Sequence, residues 1–218
     1  MTRICGIDEA GKGPVIGDLV VVGCVAEGQE ALRRIGAKDS KMLTRKQREN
    51  LFDEIKNNVT DFNIVRISAL EIDERNAVGC NLNTLECLKM AQIINTLMPE
   101  KVFIDCPHPV PEKFRIELLK YLNDKNVEII AEHRADSKYP LVGAASIIAK
   151  VTRDNHIKEL ENELGIIIGS GYPSDPATKK VLDEEFENKG LEKYIRHSWD
   201  TYKRMKIKKG QKSLFEET

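Results

Sequence analysis

The sequence predicts an α/β fold, a mixed central sheet flanked by helices, with a small helical appendage at the C-terminal end. Three observations point there. Two β-branched apolar runs near the start are separated by a Gly-rich turn; strand-like and helix-like segments alternate after them; and a Gly/Pro-rich loop then gives way to charged, helical sequence.

Residues 3–8 (RICGID) and 15–26 (VIGDLVVVGCVA) read as a hairpin about that turn. A helix is expected over 44–57, where Thr44 and Gln47 stand in capping-box spacing, and a strand over 59–68. The helix predicted at 81–98 carries an apolar face of Leu82, Leu85, Leu88, Met90, Ile93, Ile94 and Leu97. Residues 101–105 (KVFID) form a buried strand that the Pro-rich CPHPVP stops, followed by a helix at 111–123 and a strand at 127–133. A helix from 140 to 163 places Leu141, Ala144, Ile148 and Val151 at helical spacing among small residues that permit close approach to a sheet. Gly165, Gly169, Gly171, Pro173 and Pro176 mark a loop and a boundary, with 1–173 as the main domain, 174–209 as a helical region and 210–218 as a tail. A helix over 177–188 and a basic helix or tail beyond Trp199 complete the chain.

With 218 residues, 41% of them hydrophobic and 32% charged, the chain can bury a core; disorder, collagen-like repetition and a spanning membrane helix are excluded. Lys and Arg number 34 against 35 Asp and Glu, a net charge of −1. The sum hides its distribution: residues 194–212 hold seven Lys or Arg and one Asp, a local +6, leaving −7 elsewhere. The five cysteines, Cys5, Cys24, Cys80, Cys87 and Cys106, form no C-x-x-C pair and read as reduced residues of an intracellular protein. The first residues lack an export signal, so the cytoplasm is the expected location.

Acidic residues at the ends of buried strands are the first chemical anomaly. Asp8 and Glu9 end the run ICGI, Asp105 ends VFI, and Asp136 follows VEIIA by a few residues. A desolvated carboxylate needs a cation or hydrogen bonds, and three converging would make a hard oxygen site for Mg²⁺ or Mn²⁺. Each Asp taken alone could instead cap the next turn. Asp8 and Glu9 can address one site only if the strand has ended at Glu9, because successive strand residues face opposite ways. The turn Gly11-Lys12-Gly13-Pro14 brings backbone N–H groups and a cation close to a ligand, although hairpin turns recruit glycine routinely. Residues 38–48 hold five basic residues and one acidic one, Lys41 and Lys46 among them, which suits phosphate contacts or a solvated helix face equally. Trp199 and Tyr202 are interleaved with Arg196, Lys203, Arg204, Lys206, Lys208 and Lys209, a pattern that fits either duplex contacts or an aromatic anchor.

Assembled in order, GIDEAGKGPVIG (Gly6–Gly17), DSKML (Asp39–Leu43), FIDC (Phe103–Cys106), ADSKYPLVGAASIIAKVTRD (Ala135–Asp154) and GSGYPSDP (Gly169–Pro176) closely resemble type 2 ribonuclease H, ribonuclease HII, in its archaeal form. The motifs span about four fifths of the chain, and the first and fourth are long and unusual. The resemblance implies a ribonuclease H-like fold and hydrolysis of the RNA strand of RNA–DNA hybrids, including single ribonucleotides in duplex DNA, to 5′-phosphate and 3′-hydroxyl ends. It implies a carboxylate set at Asp8, Glu9, Asp105 and Asp136 holding one or two Mn²⁺ or Mg²⁺ ions. It also implies a substrate loop at Gly11, Lys12 and Gly13, and a tyrosine beside the scissile ribonucleotide at Tyr172. A non-catalytic module on this fold would lack a carboxylate, and none is missing.

The tail GQKSLFEET resembles a shortened sliding-clamp peptide, with Gln211, Leu214 and Phe215 fitting and Glu217 and Thr218 standing where aromatics are usual; a frayed terminus is the alternative. A monomer is expected, with no membrane partner.

Overall fold

The computed structural model describes residues 2–37, 43–185 and 188–216, with residues 209–216 described by backbone alone. Lys41 therefore lies outside the described residues, as do the side chains of Gln211, Leu214 and Phe215. In chain order the elements are β1 (Ile4–Ala10), β2 (Leu19–Ala26), α1 (Glu30–Arg34), α2 (Arg45–Asn58), β3 (Asp61–Ile67), α3 (Ala69–Glu74), α4 (Leu82–Leu97), β4 (Lys101–Asp105), α5 (Pro111–Tyr121), β5 (Glu128–Glu132), α6 (Ala135–Lys138), α7 (Pro140–Leu164), α8 (Pro176–Glu184), α9 (Lys189–Glu192) and α10 (Asp200–Glu216).

The sheet is mixed, in the order β3-β2-β1-β4-β5. β1 pairs antiparallel with β2, from Ile4↔Ala26 to Ala10↔Val20, and parallel with β4, from Ile4↔Lys101 to Ile7↔Ile104. β4 pairs parallel with β5, ending at Asp105↔Glu132. The capping box holds: the Thr44 N–H donates to Gln47 Oε1 at 2.8 Å and the Gln47 N–H to Thr44 Oγ1 at 3.3 Å. Among the described residues no helix is long and apolar enough to cross a membrane.

Backbone contacts divide the chain into two compact units, neither continuous in sequence. One comprises Met1–Ala10, Val20–Arg66 and Cys80–Arg153; the other comprises Gly11–Leu19, Ile67–Gly79 and Asp154–Thr218. The loop expected to mark a boundary falls inside the second unit.

In the first unit, strand alternation divides the work between two faces of β1 and β2. Val20, Val22, Cys24 and Ala26 pack with Leu141, Ala144, Ala145 and Ile148 of α7. On the opposite face, a Cβ on Gly23 would lie 2.4 Å from Ile93 Cγ2 of α4. Gly6 brings β1 hard against α7, since a Cβ there would lie 2.3 Å from the Leu141 carbonyl carbon and 2.5 Å from the Val142 nitrogen. The second unit has its own core of Val15, Ile16, Ile157, Leu160, Ile168, Val181, Leu182, Leu191, Ile195 and Tyr202.

Several boundaries differ from the sequence reading, each for a local reason. β1 does not end before Glu9 but runs to Ala10, because Glu9 and Ala10 still pair with Val21 and Val20. β2 starts at Leu19 rather than residue 15, because Gly17 turns the chain at φ +91° and the Val15 and Ile16 N–H groups donate to Gly171 O at 2.8 and 3.3 Å. On α4, Leu85, Met90, Ile93, Ile94 and Leu97 of the expected face are buried together with Glu86, Cys87 and Ala91, whereas Leu88, about 200° around the helix from Glu86, is 37% exposed. The helix expected over 177–188 ends at Glu184, and Asn188 instead caps α9 through hydrogen bonds from Gly190 and Leu191. The backbone of the expected tail belongs to α10 as far as Glu216. α1, α3, α6 and α9 have six residues or fewer, too short for helical periodicity to show in the sequence.

Because the atoms facing Gly6 are backbone, they cannot rotate aside. Gly6→Ala should destabilise the protein by about 3 kcal/mol or more in denaturant titration; an unchanged midpoint would show that α7 is not seated against β1 there.

Candidate active site

Three carboxylates meet in the first unit. Asp8, Asp105 and Asp136 each offer an oxygen, and these oxygens lie within 4.8 Å of one another; Asp8 and Asp136 are buried and Asp105 is half-buried. Each is placed by the local fold. Asp8 stands two residues beyond Gly6 on the same face of β1, the face that α7 covers, and its carboxylate is hydrogen-bonded to Ser146 of that helix. The Glu9 N–H donates to Asp8 Oδ1 at 2.7 Å. Asp105 closes β4 and accepts the Ala135 N–H at 3.0 Å, which ties it to the start of α6 one residue before Asp136. Asp136 Oδ1 in turn accepts the Ser137 N–H at 3.0 Å. Arg134 makes the turn from β5 into α6 in a left-handed conformation, φ 57°, that side chains rarely adopt. Tyr139 stacks on Phe103 of β4 with ring centroids 4.1 Å apart, holding the far end of α6 to the sheet.

Glu9 is not one of the three. On a strand that continues to Ala10, pleat alternation gives it the face opposite Asp8.

The glycine loop and Tyr172 meet in the second unit. A Cβ on Gly13 would lie 3.3 Å from Tyr172 Cε1, so the ring rests on the glycine backbone. Gly171 O accepts both Val15 and Ile16 N–H groups, which fixes Tyr172 beside the loop. The segment carrying Tyr172 is itself pinned. Glu161 Oε1 accepts the Ile168 and Gly169 N–H groups at 2.9 Å each, and the Gly171 N–H donates to the buried Thr178 Oγ1 at 2.9 Å. Asp175 accepts Ser170 and Ala177 N–H groups at 2.7 and 2.9 Å, and the Ser170 bonds are the main reason its carboxyl lies below the ordinary range.

Lys12 is half-buried, and Lys46 is exposed on the first turn of α2. Sequence reasoning missed two residues. The signal for Ser146 was a hydroxyl among the small, apolar residues of AASIIAK. Arg196 stands in the sequence among the candidates for duplex contact, but it is fully buried against the loop backbone; its signal is an arginine set close to Tyr194, Ile195 and Trp199.

A family model described as Ribonuclease HII matches residues 5–202. The chain belongs to the ribonuclease HII family. Ribonuclease HII of Pyrococcus abyssi (strain GE5 / Orsay) is 42% identical over 219 residues, covering 97% of this chain and 96% of that protein. The crystal structure of ribonuclease H2 from Pyrococcus horikoshii OT3 superposes with a TM-score of 0.86 at 41% identity, covering 94% of this chain and 98% of the other. The ribonuclease HII of Archaeoglobus fulgidus, solved as a PCNA:RNase HII complex, matches with a TM-score of 0.83 at 40% identity over 92% of this chain and 96% of that one. The fold is accordingly ribonuclease H-like, and the chain is a ribonuclease H, a metal-dependent endoribonuclease of a family that acts on RNA–DNA hybrids.

The carboxylate cluster fits the divalent-metal dependence of ribonuclease HII. Its donors are hard oxygens, two of the three side chains are buried, and the cost of charging them together is visible at Asp8, whose carboxyl is pushed up to about 8, first by burial and then by Asp105. A cation held there would compensate that charge.

The direction of the stability effect follows. Because Asp8 binds its proton more tightly when folded than the ordinary value of 3.8 allows, its contribution to stability is greatest below about pH 4 and is lost as pH rises toward about 8. In chelator at pH 9, Asp8→Asn should melt roughly 3–10 °C above the parent chain, and at pH 4 the difference should vanish. Added Mn²⁺ should stabilise the parent and not the variant. Equal melting temperatures at pH 9 would show that Asp8 carries no such burden.

Proposed function

We propose that the chain hydrolyses RNA–DNA hybrids and also duplex DNA at a single embedded ribonucleotide, by attack of water that leaves a 5′-phosphate and a 3′-hydroxyl. The observation that carries this reading is the convergence of Asp8, Asp105 and Asp136 within 4.8 Å. These three would hold one or two Mn²⁺ or Mg²⁺ ions, and Glu9, which leaves β1 on the other face, would join them as the fourth carboxylate only through a local bend at the end of the strand. When bound, such ions acidify water and offset charge on the departing oxygen. The residues themselves hold the carboxylates in place: Ser146 and the Glu9 N–H at Asp8, the Ala135 N–H at Asp105 and the Ser137 N–H at Asp136. Attack by water needs no histidine pair, and His108 and His133 are occupied elsewhere: the His108 ring bonds the Val110 backbone, and His133 Nε2 bonds His108 O at 2.9 Å.

Selectivity then rests on the 2′-hydroxyl, the group that separates RNA from DNA at one nucleotide. The backbone of Gly11, Lys12 and Gly13 would bond it while the Tyr172 ring packs on the neighbouring deoxyribose; the contact between that ring and Gly13 supports this division of labour. Lys46, and Lys41 outside the described residues, would contact substrate phosphates.

A duplex with one ribonucleotide should be cut only with divalent metal, and the all-DNA duplex should remain intact. Tyr172→Ala should lower kcat/KM on that substrate by about 10–100-fold, and Tyr172→Phe should isolate the share of the hydroxyl. Wild-type rates for both variants would refute the role of Tyr172.

The Archaeoglobus complex with PCNA supports a second contact, with a sliding clamp, and its proposed seat is the tail, where Gln211, Leu214 and Phe215 resemble a shortened clamp peptide. Deleting residues 210–218 should abolish clamp binding in a pull-down while leaving hybrid cleavage in place; undiminished binding would remove the proposal.

A further inference from the structure

The loop after β1 is gripped from behind by its carbonyl oxygens. Arg196 is 0% exposed, and its guanidinium spreads across three of them: Nε–H donates to Gly17 O at 3.0 Å, one Nη to Lys12 O at 2.9 Å, and the other to Gly11 O at 2.6 Å and Gly17 O at 2.8 Å. Trp199 takes a fourth, donating its ring N–H to Gly13 O at 3.2 Å. Two guanidinium groups lie over the indole, Arg196 at 5.0 Å and Arg75 at 5.3 Å from its centroid. The gripping segment is anchored in turn by Asp73, which accepts the His197 N–H at 2.7 Å, the Ser198 N–H at 2.9 Å and the Ser198 hydroxyl at 2.5 Å. All of these residues belong to the second unit.

Peptide geometry turns this grip into an aiming device. No peptide in the described chain is cis, and in a planar trans unit the C=O of one residue and the N–H of the next point in opposite directions. With the carbonyls of Gly11 and Lys12 drawn onto Arg196, the N–H groups of Lys12 and Gly13 are directed away from it. A planar fork of five donors suits this task, whereas a lysine ammonium, a point donor, cannot span the same oxygens.

We propose that Arg196 is a positioning residue that aims the Lys12 and Gly13 amides at the ribose hydroxyl, and so sets the preference for a ribonucleotide over a deoxyribonucleotide. Trp199 aims no amide itself, since Pro14 after Gly13 has no N–H; by fixing the Gly13 carbonyl it holds in place the end of the loop that Arg196 orients. The proposal rests on the reading of Gly11–Gly13 as the ribose-sensing loop. It assigns the C-terminal segment a part in specificity distinct from any duplex-backbone contact.

The test is the ratio of affinities for a duplex with one ribonucleotide and the same duplex in all-DNA form, measured in the full chain carrying Asp136→Asn to suppress cleavage. With Arg196 and Trp199 intact, the ribonucleotide duplex should bind more tightly. Arg196→Lys, and Trp199→Phe, which keeps a ring but removes the N–H donor, should each lower that ratio by about fivefold to tenfold while affinity for the all-DNA duplex holds. Generalised structural damage would weaken both duplexes alike and overturn the proposal, as would an unchanged ratio in Trp199→Phe, which decides alone if Arg196→Lys does not fold. An intact chain with no preference would overturn the ribose-sensing reading itself, and the aiming role with it; a preference retained by both variants would overturn only the aiming role.

Discussion

The contact between Gly6 and the backbone of α7 is the constraint on which the carboxylate site depends. β1 and α7 approach until the Leu141 carbonyl occupies the space of a side chain at residue 6. Two residues along the strand, that same proximity brings Ser146 onto Asp8. One strand position thus fixes both the seat of the helix and the first carboxylate. The other two follow from parallel pairing: β4 beside β1 and β5 beside β4 bring their C-terminal ends to one edge, where Asp105 closes a strand and Asp136 follows one. Ligand sites at the C-terminal ends of parallel strands are a general outcome of this architecture.

Stability and function pull in opposite directions at this site. Burial that aligns the carboxylates also makes them hard to charge together, and Asp8 shows it. The fold holds the arrangement with hydrogen bonds from backbone N–H groups and one serine, and with a strained turn at Arg134. A divalent cation held there would relieve what remains and would link metal affinity to fold stability through the same three side chains.

Long periodic elements and the carboxylates were legible in the sequence because each carries its signal locally. Thr44 and Gln47 announced a helix start, KVFID a buried strand, and Asp8, Asp105 and Asp136 stood out as charges ending apolar runs. What escaped depends on register or on contacts far apart in sequence. Whether β1 stops at Glu9 turns on pairing with Val21, and whether Glu86 or Leu88 is buried turns on helix phase, which overrides residue type. The role of Arg196 was least legible, because its partners Gly11, Lys12 and Gly17 lie about 180 residues away, and composition reads a basic residue there as solvent-facing.

If Asp8, Asp105 and Asp136 form one divalent-cation site, anomalous diffraction from crystals soaked in Mn²⁺ will locate it. The peak should lie within coordinating distance of oxygens from all three residues and be lost in Asp8→Asn. A peak held by other residues, or one unchanged in that variant, would rule the shared site out.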